Sequence, residues 1–144
     1  MRVMVILKGS KNSETSTMPS PEVMEQGIRF NEEMMKAGIL KSADALKPSS
    51  AGKRVQFRPH RKASVTDGPF AETKELVAGY WIWEVKSMDE AMEWALRIPD
   101  PSPGEETDIE IRPFYGPEDF AQALTPDQLD RVDDMNRHEA AQQA

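Results

Sequence analysis

The stretch Leu76-Val77-Ala78-Gly79-Tyr80-Trp81-Ile82-Trp83-Glu84-Val85 is the strongest constraint on the fold. It is rich in β-branched and aromatic side chains and reads as a strand. Strand side chains alternate between faces, so Trp81 and Trp83 fall on one side and Tyr80 and Ile82 on the other. Both faces are therefore apolar. Helices can cover one of them, and an apolar patch left on the other marks an interface. The expectation is a sheet protein that buries its second face against another copy of itself, a homodimer packed through its sheets.

The rest of the chain supplies the other layers. Met1 to Leu7, with Val3-Met4-Val5-Ile6-Leu7, reads as a buried strand, and residues 8–19 read as a loop. Ser20-Pro21-Glu22 opens a helix with a hydroxyl cap, proline at the first position and an acid in the first turn. Val23, Gly27, Phe30 and Met34 recur along it at helical spacing, and Gly38 ends it. Ile39 to Leu46 is a weaker strand. Lys53 to Arg58 alternates and returns through Ala63 to Thr66 as a hairpin. Ser87-Met88-Asp89-Glu90 is a capping box before a helix with the stripe Ala91, Trp94, Ala95 and Ile98, stopped by Pro99. Asp108 to Arg112 alternates as a last strand. Thr125-Pro126 starts a helix whose Leu129 and Val132 form a thin apolar stripe. The order βαββαβ, with a hairpin insertion, is the ferredoxin-like α+β pattern with an antiparallel sheet. Residues 1–116 are expected to form that domain and residues 117–144 an acidic helical extension.

Composition narrows the chemistry. At 144 residues the chain suits one compact domain. It has no cysteine, which excludes disulfides and thiolate chemistry, and its two histidines, His60 and His138, make a multi-histidine metal site unexpected. No apolar run approaches the roughly 20 residues of a membrane span, and Lys8 ends the first one before a signal peptide could form. The net charge of −7 disfavours nucleic acid as a partner. From Pro117 onward seven acids face two arginines, so −5 of that charge sits in the tail, while Lys53, Arg54, Arg58, Arg61 and Lys62 form a basic stretch. The reading is a cytoplasmic domain with no cofactor, no metal, no membrane and no nucleic-acid partner. The acidic tail is expected to dock on the basic stretch of its own or another subunit.

One block carries a family resemblance. Thr66-Asp67-Gly68-Pro69-Phe70-Ala71-Glu72-Thr73-Lys74-Glu75, with Gly79-Tyr80, Glu90-Ala91-Met92-Glu93-Trp94-Ala95, Ile98-Pro99 and Ile109-Glu110-Ile111-Arg112-Pro113, closely resembles the DGPF subgroup of the YCII-related domain family. The likeness runs from Met1 to about Phe114. It implies a ferredoxin-like fold that pairs into a dimeric α+β barrel, and it implies no settled activity. An enzymatic role is suggested by analogy with related barrels, and gene neighbours of the subgroup, extracytoplasmic-function sigma factors, imply a regulatory association.

The candidate site residues follow from charge density and position. Asp67 precedes Gly68-Pro69, where a carboxylate can fix a turn by bonding backbone N–H groups. With Glu72, Lys74 and Glu75 nearby, it is also an acid–base candidate, since crowded carboxylates titrate apart. His60 is the domain's only side chain with an ordinary pKa near neutrality, though its basic neighbours suggest an exposed hairpin tip. Glu110 and Arg112 should point away from the helices, either as an ion pair at the dimer interface with Glu84 or as an anion clamp. Lys74 and Arg112 would hold an anion, with Tyr80, Trp81 and Trp83 as apolar walls. Two readings remain open: a small-molecule-binding barrel, with cofactor-independent acid–base chemistry by Asp67 or Glu72 on a small anionic or aromatic substrate, and a non-catalytic module that binds a protein partner.

Overall fold

In the computed structural model, which describes residues 1–144, six strands and five helices follow one another. The chain divides into two units, Met1–Pro113 and Phe114–Ala144. In the first, β1 (Arg2–Lys8) leads through a short α1 (Lys11–Glu14) to α2 (Pro21–Lys36) and β2 (Leu40–Ala45). A hairpin of β3 (Lys53–Gln56) and β4 (Ser64–Asp67) follows, then β5 (Val77–Glu84), α3 (Met88–Ala95) and β6 (Ile109–Pro113). The main sheet has the order β2-β5-β1-β6 with every neighbour antiparallel. β1 and β2 thus run parallel with β5 between them, joined by α2, and β5 and β6 repeat that arrangement around β1 through α3. Two interlocked split βαβ units define the ferredoxin-like α+β fold.

Local chemistry explains the elements. The Ser20 hydroxyl accepts from the Val23 N–H (3.3 Å), with Pro21 at the first helical position, and Gly38 takes φ +74° just beyond the last turn of α2. Phe30 and Met34 carry α2 into the core with Val3, Val5, Ile39, Trp83, Val85 and Ala91. Trp83, Met34, Val3 and Val5 are the largest side chains shut off from water. Burial of a residue such as Val3 or Met34 contributes roughly 1.5–3 kcal/mol. Trp94 meets Phe30 edge-on, ring centroids 6.2 Å apart, and locks α3 against α2.

The two faces of the sheet separate as alternation requires. Trp81, Trp83, Ile109 and Ile111 belong to or pack on the helix-side core. The opposite face carries two transverse rows, Ser42–Ile82–Met4–Arg112 and Asp44–Tyr80–Ile6–Glu110. Its centre is apolar and half-buried, and its edges are polar.

Three local details depart from the sequence reading. Residues 8–19 are not all loop: Ser10 and Ser13 cap each other reciprocally and wind α1, a box with no apolar periodicity around it. At α3 the Ser87 hydroxyl accepts from the Glu90 N–H (3.2 Å), but the Glu90 carboxylate reaches Lys86 N–H (2.6 Å), one residue further back than a full capping box. That helix also ends at Ala95, and 3-10-type bonds from Arg97 to Trp94 and Ile98 to Ala95 tighten the chain ahead of Pro99.

The second unit contains α4 (Pro117–Phe120) and α5 (Pro126–Gln143). Tyr115 and Phe120 pack with centroids 5.2 Å apart, and Thr125 with Gln128 forms a capping box. Along α5 only Leu129 and Val132 are even half-buried. No helix of the chain is long and apolar enough to cross a membrane.

Candidate functional site: a cleft at the end of the sheet

The cleft begins where β1 ends. Gly9 donates its N–H to Leu76 O (2.7 Å), and a Cβ there would stand 2.5 Å from Thr73 O, so the strand can turn only with glycine. Ser10 follows, buried, and starts α1. Across from it the loop 100–107 folds back onto α1. Ser102, also buried, donates from its hydroxyl to Glu105 Oε2 (2.5 Å), and its N–H donates to Asp100 Oδ1 (3.0 Å). The Glu105 carboxylate also accepts from Asn12 N–H at 3.3 and 3.4 Å. The Ser102 hydroxyl holds the Glu105 carboxyl below its ordinary 4.5. Partial desolvation opposes this, while Ser10, the Asn12 amide and the Lys11 charge reinforce it.

A second carboxylate fixes the other wall. Glu14 accepts from Ser49 N–H at 3.2 and 3.3 Å and from the Ser49 hydroxyl at 2.5 Å, and that hydroxyl accepts in turn from Phe70 N–H (3.0 Å). Gly68 N–H donates to Gly52 O (3.0 Å), and a Cβ on Gly68 would fall 1.7 Å from Ser49 O. The Asp67-Gly68-Pro69-Phe70 segment is therefore tied by way of Ser49 and Glu14 to α1.

Between these walls lies a cleft of about 840 Å³. Leu7, Met18, Val23, Leu46, Pro48 and Pro101 make its lining largely apolar, with hydroxyls from Ser10, Ser13, Ser16, Thr17, Ser50, Ser102 and Thr107. Lys8 and Lys47 are the only charged residues in the lining. A smaller hollow of about 140 Å³ adjoins it, sharing Leu7, Val23 and Pro101 and bordered by Trp81 and Asn31. There the Trp81 indole N–H donates to Asn31 Oδ1 (2.9 Å). No group of three or more His, Asp or Glu is placed to hold a metal ion.

The sequence-selected residues are dispersed around this cleft rather than gathered in it. Asp67 lies at the end of the hairpin and pairs with Lys53 Nζ at 2.5 Å, both side chains mostly exposed. Glu72 is exposed with φ +62°, and His60 is exposed at the hairpin tip with φ +59°. Lys74 faces Glu106 at 3.7 Å. Glu110 and Arg112 stand on the open sheet face, opposite Ile6 and Met4, while Glu84 takes the N-terminal ammonium at 3.2 Å. Tyr80 shares that face and donates to Asp44 Oδ2 (3.1 Å); Trp83 is wholly buried on the other. Of the three aromatic walls, Trp81 alone borders a hollow beside the cleft. The cleft residues Ser10, Asn12, Ser102, Lys8 and Lys47 were not singled out. The Ser10–Ser13 spacing and the proline-rich run 99–103 are the only sequence signals that point there.

An α+β sheet with helices on one face, an open second face and a cleft at one end defines a ferredoxin-like small-domain protein. The YCII-related domain model matches residues 1–115, and the chain belongs to that family. It is 30% identical over 105 residues to an uncharacterised protein of Rhizobium meliloti (strain 1021), a match spanning 73% of this chain and 83% of that one.

Proposed function

We propose that the chain is a small-molecule-binding member of the YCII-related family, of its DGPF subgroup, that works as a homodimer. The observation that carries the binding reading is the cleft of about 840 Å³, within the size range of small-ligand sites and lined by apolar surface with scattered hydroxyls. Asp67, Glu72 and His60 stand outside that lining, so the proposal rests on binding rather than on acid–base chemistry by those groups.

The dimer reading draws on the open sheet face. Met4, Ile6, Tyr80 and Ile82 form an apolar centre flanked by Asp44 on one edge and Glu110 and Arg112 on the other. That pattern, apolar within and charged at the rim, is the anatomy of a protein interface. A non-catalytic module that recruits a protein partner is the second reading. It draws on the β3–β4 hairpin, where Val55 and Val65 pair across the strands with both side chains exposed and Phe57 is 81% exposed.

Native mass spectrometry of gently purified protein tests both parts. The expected spectrum is a dimer carrying a non-covalent small-molecule adduct. A bare monomer would contradict the proposal, and a bare dimer that captures no compound from a small-molecule library would move the function to the hairpin.

A further inference from the structure

We propose that the cleft selects amphiphilic organic anions, molecules with one acidic head group and an apolar body. This rests on the reading of the cleft as a small-molecule site and adds the class of ligand. The charge distribution carries it. The chain as a whole is acidic, at −7, yet the cleft lining contains two lysines and no aspartate or glutamate. Neither Lys8 nor Lys47 belongs to any of the chain's ion pairs.

The carboxylates behind the walls, Glu14, Glu105 and Asp100, pair with neither lysine. Glu14 accepts from Ser49, Glu105 from Ser102 and Asn12, and Asp100 from Ser102 N–H. Each keeps its negative charge but turns it toward hydroxyls and backbone amides behind the lining, so the only charged residues of the lining itself are cationic. Lys8 is half-buried and Lys47 exposed, so they bring positive charge to the cleft's lining and its mouth, where low-dielectric walls focus the field on an incoming anion. Leu7, Val23 and Leu46 offer the apolar counterpart. A purely polar anion would leave that surface wet, and a neutral hydrophobe would leave both ammonium groups without a counter-charge.

The test compares two fluorescent probes with the same ring system, 1-anilinonaphthalene-8-sulfonate and uncharged N-phenyl-1-naphthylamine. Both are titrated onto the full chain, onto Lys8→Gln/Lys47→Gln and onto the control pair Lys41→Gln/Lys62→Gln, which lies outside the cleft lining. The sulfonate is expected to bind the wild-type and control chains about tenfold tighter than the neutral probe, a preference of roughly 1.4 kcal/mol. In Lys8→Gln/Lys47→Gln that preference should vanish while the neutral probe keeps its affinity within about twofold. Equal affinities in the wild type, or a preference that survives in Lys8→Gln/Lys47→Gln, would overturn the anion inference and leave the binding site standing. Failure of both probes to bind would remove the site itself.

Discussion

Glu105 shows how a single carboxylate can hold a cleft open in a defined shape. It joins the loop 100–107 to α1 by accepting from Ser102 and Asn12, and those bonds favour its ionised form. Because its folded pKa lies below the unfolded value, its stabilising contribution is fully present above about pH 4.5 and is lost as pH falls through the lower folded value. Glu105→Gln should therefore melt below wild type at pH 7, and the gap should close as both are acidified below pH 4.5; a gap independent of pH would exclude this role. Trp83 is a different case. It is wholly buried with its indole N–H unpartnered, so its contribution is packing rather than hydrogen bonding. Trp83→Ala should cost roughly 3–5 kcal/mol in urea unfolding. Asp67→Asn breaks only an exposed pair with Lys53 and should cost no more than about 1 kcal/mol.

Elements with strong local chemistry were legible in the sequence. Ser20-Pro21 and Gly38 bracket α2 as read, because a cap and a left-handed glycine act within a few residues of the chain. α1 was not legible: four residues wound by two serines leave no periodic signal. The Asp67-Gly68-Pro69-Phe70 segment stands out in the sequence, but its tie to Ser49 and Glu14, distant in sequence, could not be named. Two glycine substitutions separate these kinds of constraint. Gly68→Ala forces a Cβ onto Ser49 O and should destabilise by at least about 1–3 kcal/mol. Gly27→Ala meets nothing within 4 Å in the middle of α2 and should stabilise by about 0.5–1 kcal/mol. Thermal denaturation of the two variants should shift in opposite directions, and a shared direction would refute one placement.

At the scale of the whole molecule, alternation along one strand already separated the two faces of the sheet: Trp81 and Trp83 to the helices, Tyr80 and Ile82 to the open side. The cleft had no comparable signal. Its lining comes from β1, α1, the 16–20 loop, α2, the end of β2, the segment 46–51, β5 and the 101–107 loop, and their convergence is a product of the fold. Charged residues drew attention in the sequence because charge is visible there, and most of those chosen lie on solvated surface. The cleft's own charges, Lys8 and Lys47, flank strand ends and look unremarkable as letters. That the cleft is where a ligand sits is the central claim, and amide 1H–15N spectra recorded during titration with 1-anilinonaphthalene-8-sulfonate test it most directly. Shifts should concentrate in residues 7–20, 45–51 and 101–107. Shifts confined to the hairpin 53–67 or to the open sheet face would contradict the account.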